Sequence, residues 1–201
     1  GDAEKRIAAL LARPDARADA HVLLGDLRIQ QRRYDDALQA FRVAHAAQAN
    51  GATLFSLYRA LMASGRTGEA ATLMADWAKR YPRDRGAWHA LGEAHLARQD
   101  WPRARSVFSE LVRTDAKDAR AHNNLANVLL QQRELATALH HAERARELAP
   151  NVPQVNDTLG WVLVQQGQAE KGLRYLREAA LRAPDDPEIQ AHLNAALRKL
   201  G

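Results

Sequence analysis

Cysteine is absent from this chain of 201 residues, which excludes disulfide staples, thiolate metal sites and cysteine nucleophiles together. Aromatic residues are only 5%, too few for the stacking platforms on which single-stranded nucleic acid is bound. No run of 18 or more apolar residues occurs, and the opening GDAEKRIAALLARPD lacks a basic stretch followed by a long apolar core. Neither a membrane span nor a signal peptide is therefore expected. Blocks of like charge are also missing: 29 basic and 24 acidic residues, formally +5, are interspersed, the pattern of a solvated surface laced with ion pairs. Together with 46% hydrophobic residues and a mean hydropathy of −0.48, this is the composition of a water-soluble, packed protein.

Catalytic signatures are lacking too. There is no G-x-G-x-x-G, no P-loop and no G-x-S-x-G, and GRTG at 65–68 reads as a turn between helices. Of the eight histidines (His21, His45, His89, His95, His122, His140, His141 and His192) no two are three or four residues apart. None therefore pairs along one helix face as metal ligands would. Carboxylates such as Glu93 and Asp157 stand without a sequence partner that would mark them as an acid or base. No enzyme activity, cofactor or metal is expected. The pI near 9.9 raises nucleic acid as a partner, but acidic residues share every segment with the arginines, which argues against a basic stripe and against a basic membrane-binding face.

What is present is a period. Ala37, Ala70, Ala104, Ala138 and Gly172 follow one another at 33, 34, 34 and 34 residues. Thirteen positions before each stands a leucine followed by a mostly small residue: Leu24-Gly25, Leu57-Tyr58, Leu91-Gly92, Leu125-Ala126 and Leu159-Gly160. Four positions after each comes Phe41, Met74, Phe108, Ala142 or Leu176, and Pro82, Pro150 and Pro184 close three units. Apolar residues at i, i+3 and i+4, such as Leu159, Val162 and Leu163, predict amphipathic helices. Pro153 and Pro187 are placed at first helical positions, where the missing N–H has no partner in any case. The small residues predict close approach of two helix backbones within each unit.

The copy WHALGEAH then ARSVF, with Trp88, Leu91, Gly92, Ala104 and Phe108, resembles the tetratricopeptide repeat (TPR) family. The resemblance implies an all-α, right-handed solenoid of antiparallel helix hairpins forming a single array over 1–201. Its five full repeats are expected at 18–50, 51–84, 85–118, 119–152 and 153–186. Residues 2–13 read as the second helix of a truncated repeat, and 187–201 as a terminal helix ending on Gly201. Tyr58 in place of a small residue and Trp77 at a usually small position predict a local change in superhelical twist near residues 50–80.

Such solenoids bind partners on a concave face lined by the first helix of each hairpin. Carried over position by position, the resemblance implies partner contacts at Phe55, Arg59, Glu93, Arg120, Asn123, Asn124, Asn127, Asp157 and Trp161. The amides can donate to and accept from an extended peptide backbone, and Trp161 would supply an apolar anchor. The chaperone-tail clamp of one TPR subclass is not expected, because its basic and Asn positions are Val22, Asp26, Ser56, Gly86 and Ala90 here. Residues 120–200 further resemble the TPR lipoproteins of bacterial exosortase (PEP-CTERM) and exopolysaccharide export systems. That implies a non-enzymatic scaffold on the periplasmic side or at the outer membrane, its lipid anchor lying outside this sequence, with export-machine components as partners. The alternatives are a cytoplasmic protein–protein adaptor and, behind it, a nucleic-acid-binding helical repeat. Weak self-association through exposed repeat ends is also expected.

Overall fold

The computed structural model describes residues 2–13 and 17–200, all of whose regular structure is helical. Two compact units divide the chain, Gly1–Arg98 and Gln99–Gly201. The first contains α1 (Asp2–Leu11), α2 (Arg17–Gln30), α3 (Tyr34–Ala47), α4 (Gly51–Ala63), α5 (Thr67–Arg80) and α6 (Arg85–Ala97). The second contains α7 (Trp101–Thr114), α8 (Ala119–Gln131), α9 (Leu135–Leu148), α10 (Pro153–Gln165), α11 (Ala169–Arg182) and α12 (Pro187–Leu200). Among the described residues no helix is long and apolar enough to cross a membrane. Helices α10 and α12 begin on Pro153 and Pro187 as the sequence predicts; the expected end on Gly201 lies outside the described residues.

Each helix pair turns on one residue held at positive φ. These are Arg32, Gly65, Gln99, Arg133 and Gly167, with φ of 57, 75, 57, 63 and 83°. The spacing repeats the sequence period, yet glycine fills only two of the five places. At four of them a backbone N–H just past the turn reaches back five residues: Arg33 to Arg28, Arg66 to Leu61, Glu134 to Leu129 and Gln168 to Leu163, at 2.8–2.9 Å. That bond satisfies a carbonyl the ending helix leaves without a partner.

The loops between hairpins are fixed by side chains. Asn50, Asp84 and Asp118 accept the backbone N–H of Thr53, Ala87 and Ala121 at 3.0, 3.1 and 2.9 Å, capping α4, α6 and α8. A second tether recurs at the fourth residue of every other helix, α6, α8, α10 and α12. Trp88 Nε1 donates to Pro82 O, Asn156 Nδ2 to Pro150 O and Gln190 Nε2 to Pro184 O, each at 3.0 Å and each six residues back. His122 occupies the same place, its Nε2 lying 3.3 Å from Ala116 O.

Packing follows the small residues. Ala37, Ala70, Ala104 and Ala138 are fully enclosed, as are Phe41, Met74, Phe108 and Leu176. A Cβ on Gly25 would overlap the Phe41 ring, and one on Gly160 would lie 2.8 Å from Gly172 O. Helices α10 and α11 thus meet almost backbone to backbone. In the first unit, α4 packs on α5 far more loosely than α2 does on α3, and α5 leans instead on α6. The irregular residues account for this. Tyr58 is buried where the other units carry a small residue, and Trp77 turns to stack on Tyr81 (ring centres 4.1 Å apart) and donates to Asp84 at 2.8 Å. A cavity of about 570 Å³ opens beside this hairpin, lined by Leu38, Leu57, Leu61 and Leu73 and edged by Arg42, Glu69, Asp76 and Arg98.

Candidate functional site: an amide-lined groove

In the second unit the N-terminal ends of α8, α10 and α12 surround a groove of about 520 Å³. Arg120, Asn123, Asn124 and Asn127 line it from α8. Gln154, Val155, Asp157 and Thr158 come from α10, and Asp186, Glu188 and Ile189 from the start of α12. Residues 120, 123, 124 and 127 share one face because the helix repeats every 3.6 residues, while the alternate face of α8 carries Leu125, Val128 and Leu129 into the core.

The amides are the unusual element. Asn123 is 8% exposed, and its Oδ1 is shut from solvent without a hydrogen-bond partner, as is Nδ2 of Asn124. Buried polar groups are nearly always paired, and an unmade bond costs about 1–3 kcal/mol. Here one acceptor and one donor are left over on adjacent residues of the groove wall.

Asp157 is held differently. It is 6% exposed and its two oxygens lie 2.9 and 3.1 Å from His192 Nδ1 on α12. The His192 ring stacks on Trp161, centres 4.4 Å apart and planes at 12°, and Lys199 Nζ lies 5.9 Å from the centre of the Trp161 ring. Trp161 and Leu193 pack against the core formed by Val164, Leu173, Leu176 and Ala196. Trp161 therefore does not line the groove; it fastens α12 onto α10 and orients the histidine that holds Asp157.

Five of the nine sequence-derived contacts thus meet at one groove: Arg120, Asn123, Asn124, Asn127 and Asp157. The others stand elsewhere on the fold. Arg59, on α4, is exposed and paired with Asp26 at 2.6 Å. Phe55, on the same helix, is half-buried and meets Tyr58 edge-on with ring centres 6.3 Å apart. Glu93 is half-buried on α6. Sequence reasoning missed Ile189, Asp186 and Glu188, which enter the groove from α12. Their signal was present in the proline at 187, which sets the helix start one residue after Asp186.

Among the described residues, short helices joined by five turns of recurring geometry define a class of helical-hairpin repeat proteins, and the hairpin consensus specifies which. Family models described as tetratricopeptide repeat match residues 1–52, 56–119 and 89–153, and a second such model matches 129–197. The chain belongs to the tetratricopeptide repeat family. No curated protein matches its sequence. Among solved structures it is similar to TTC0263, a thermophilic TPR protein of Thermus thermophilus, with 22% identity, a TM-score of 0.73 and coverage of 90% of this chain and 98% of that one. It is also similar to MamA from Desulfovibrio magneticus RS-1, with 17% identity, a TM-score of 0.66 and coverage of 85% and 97%. A third is YrrB, a TPR protein with an unusual peptide-binding site, at 16% identity, a TM-score of 0.59 and coverage of 92% and 96%. These likenesses establish the fold.

Proposed function

We propose that this protein is a non-enzymatic scaffold that takes an extended peptide segment of a partner into the groove of α8, α10 and α12. The unsatisfied Oδ1 of Asn123 and Nδ2 of Asn124 carry this reading. A peptide backbone presents N–H and C=O groups alternately, so an adjacent acceptor and donor suit it, and a modest turn of either amide would complete both. YrrB, a structural relative, has a peptide-binding site, which supports the choice of ligand.

The charges lining the groove support a peptide over nucleic acid. Asp186 and Glu188 line the groove together with Arg120, and Asp157 is already paired to His192. An acidic edge repels phosphate, so nucleic acid is disfavoured despite the basic pI. A peptide that is neutral or carries one basic side chain toward α12 suits the groove best. On the first unit the reading extends to Phe55, Arg59 and Glu93 as further partner contacts, and Trp161 contributes through its hold on His192.

The test is selection of peptides from a displayed random library, followed by calorimetry on the selected sequences. Asn124→Ala should weaken them about 5- to 30-fold, the loss of one or two hydrogen bonds at about 1 kcal/mol each. Affinity unchanged in Asn123→Ala and Asn124→Ala would overturn the assignment. The resemblance of residues 120–200 to exosortase-linked TPR lipoproteins supports a narrower reading, in which the partner is a component of exopolysaccharide export on the periplasmic side. Fractionating the source cells decides it: recovery in the cytosol alone would favour an adaptor without that connection.

A further inference from the structure

One residue in the groove breaks a rule that the rest of the chain obeys. Positions 50, 84, 118, 152 and 186, at intervals of 34 residues, immediately precede α4, α6, α8, α10 and α12. Four of them hold Asn50, Asp84, Asp118 and Asp186, and each accepts a backbone N–H from the first turn of its own helix. Val152 is the exception: α10 has no side-chain cap. Its side chain does not enter the core either, being 41% exposed, and it lines the groove. A position that gives up a helix cap and exposes an apolar side chain, without a gain in packing, is the kind of local inconsistency that marks a binding site.

Four charged side chains share the groove lining, and three of them already have partners. Asp157 turns both oxygens to His192 Nδ1, Asp186 accepts the N–H groups of Glu188 and Ile189 through Oδ1 at 3.0 and 3.3 Å, and Arg120 has a partner within the chain. Glu188 is the fourth. It is exposed, and among the described residues its carboxylate meets neither a cation nor a hydrogen-bond donor. The groove therefore carries one uncompensated negative charge and one uncovered apolar side chain, beside the unpartnered amide oxygen of Asn123, itself 8% exposed.

We propose that the groove selects a peptide bearing a lysine or arginine, whose aliphatic stem lies on Val152 and whose cationic head pairs with Glu188. The inference rests on the peptide reading above and adds a side chain to it: the amides of α8 hold the backbone, and Val152 with Glu188 reads one residue. Long basic side chains cover apolar surface with their methylenes while the charged head stays in water, which matches an exposed valine and an exposed carboxylate in one groove. The other side-chain classes fit less well. An acidic residue would meet Glu188, Asp186 and Asp157 against the single Arg120. A leucine or phenylalanine would find little apolar surface, because Val155 and Ile189 are buried, and would desolvate Glu188 without pairing it.

The test uses the full chain and the tightest peptide from the displayed random library, resynthesised with norleucine and with glutamate at its basic position. Selected sequences should share one lysine or arginine at a fixed place. Norleucine keeps the stem and removes the charge; it should weaken binding about 3- to 10-fold in calorimetry, and glutamate by more. Added salt should weaken the basic peptide and leave the norleucine one nearly unchanged. In Glu188→Lys, with folding checked by circular dichroism, the order of the basic and glutamate peptides should reverse. Val152→Asn restores the cap of the other repeats, so it should raise the melting temperature while weakening the basic and norleucine peptides alike, by about 2-fold or more. Selected peptides without a basic residue, an unchanged peptide order in Glu188→Lys, or undiminished binding in Val152→Asn would each overturn the inference. The peptide reading itself survives those results if Asn124→Ala still weakens binding, whereas failure to select any peptide, or indifference to both Asn123→Ala and Asn124→Ala, removes the two together.

Discussion

Replacing Gly172 with alanine is expected to destabilise the second unit although it removes a glycine from a helix interior. In an open helix the change gains about 1 kcal/mol. At position 172 the new Cβ would overlap the carbonyl oxygen of Gly160 and lie 2.7 Å from Val164 Cγ2 and 3.1 Å from Val164 N. Two of these three atoms are backbone, so relief requires α10 and α11 to part by about 0.5–1 Å. A gap of that size forfeits a quarter to a half of each contact's dispersion energy, here along a seam that includes the enclosed Leu176 and Val164. Overpacking of this kind costs about 1–3 kcal/mol; with backbone as the obstacle the upper half applies, and after the helix gain a net loss of about 1–2 kcal/mol remains. Gly51 is the control, because a Cβ there meets nothing within 4 Å. Urea denaturation followed by circular dichroism should show Gly172→Ala with a lower midpoint and Gly51→Ala with an unchanged or higher one. A Gly172→Ala protein as stable as the parent would refute the close-approach argument.

Arg133 turns its hairpin at a φ of 63°; Arg133→Gly should be more stable than Arg133→Ala by about 1 kcal/mol in the same assay, since a side chain in the left-handed region is strained. Removing the α8 cap with Asp118→Ala should cost about 1 kcal/mol, seen as faster amide exchange at Ala121 first. His192→Ala strands the buried Asp157 carboxylate and removes the ring against Trp161, so α12 should lose about 1–3 kcal/mol of protection in hydrogen exchange. Adding Asp157→Asn to that variant should restore part of the loss, and no restoration would argue that the stack, not the carboxylate, sets the effect.

The repeat was legible because its packing residues recur at fixed spacing: the small residues at Gly25, Gly160 and Gly172 meet the other helix of their own hairpin, where Phe41 and Leu176 stand, and the same pairing returns every period. The groove residues on α8 were legible through the family resemblance, whose inner-face positions carry over to Arg120, Asn123, Asn124 and Asn127. Contacts between side chains from different helices were not. Nothing in the chain links His122 to His141, nineteen residues on but 2.9 Å away between their Nδ1 atoms, or Trp161 to His192, because neither pair belongs to the repeating pattern. The turns at Arg32, Gln99 and Arg133 were hidden by residue type, glycine being the usual mark of positive φ, though their register with Gly65 and Gly167 carries the signal. The tether at the fourth helical position was hidden likewise, since Trp, His, Asn and Gln look unrelated until each is seen to set a nitrogen against the equivalent carbonyl six residues back.

The central claim is that a peptide lies in the groove of the second unit, and backbone amide mapping by nuclear magnetic resonance tests it most directly. A library-selected peptide should perturb Arg120, Asn123, Asn124 and Asn127, together with the first turns of α10 and α12, while the side-chain amides of Asn123 and Asn124 shift as their missing bonds form. Perturbations confined to other surfaces, with these residues unmoved at saturation, would contradict the account.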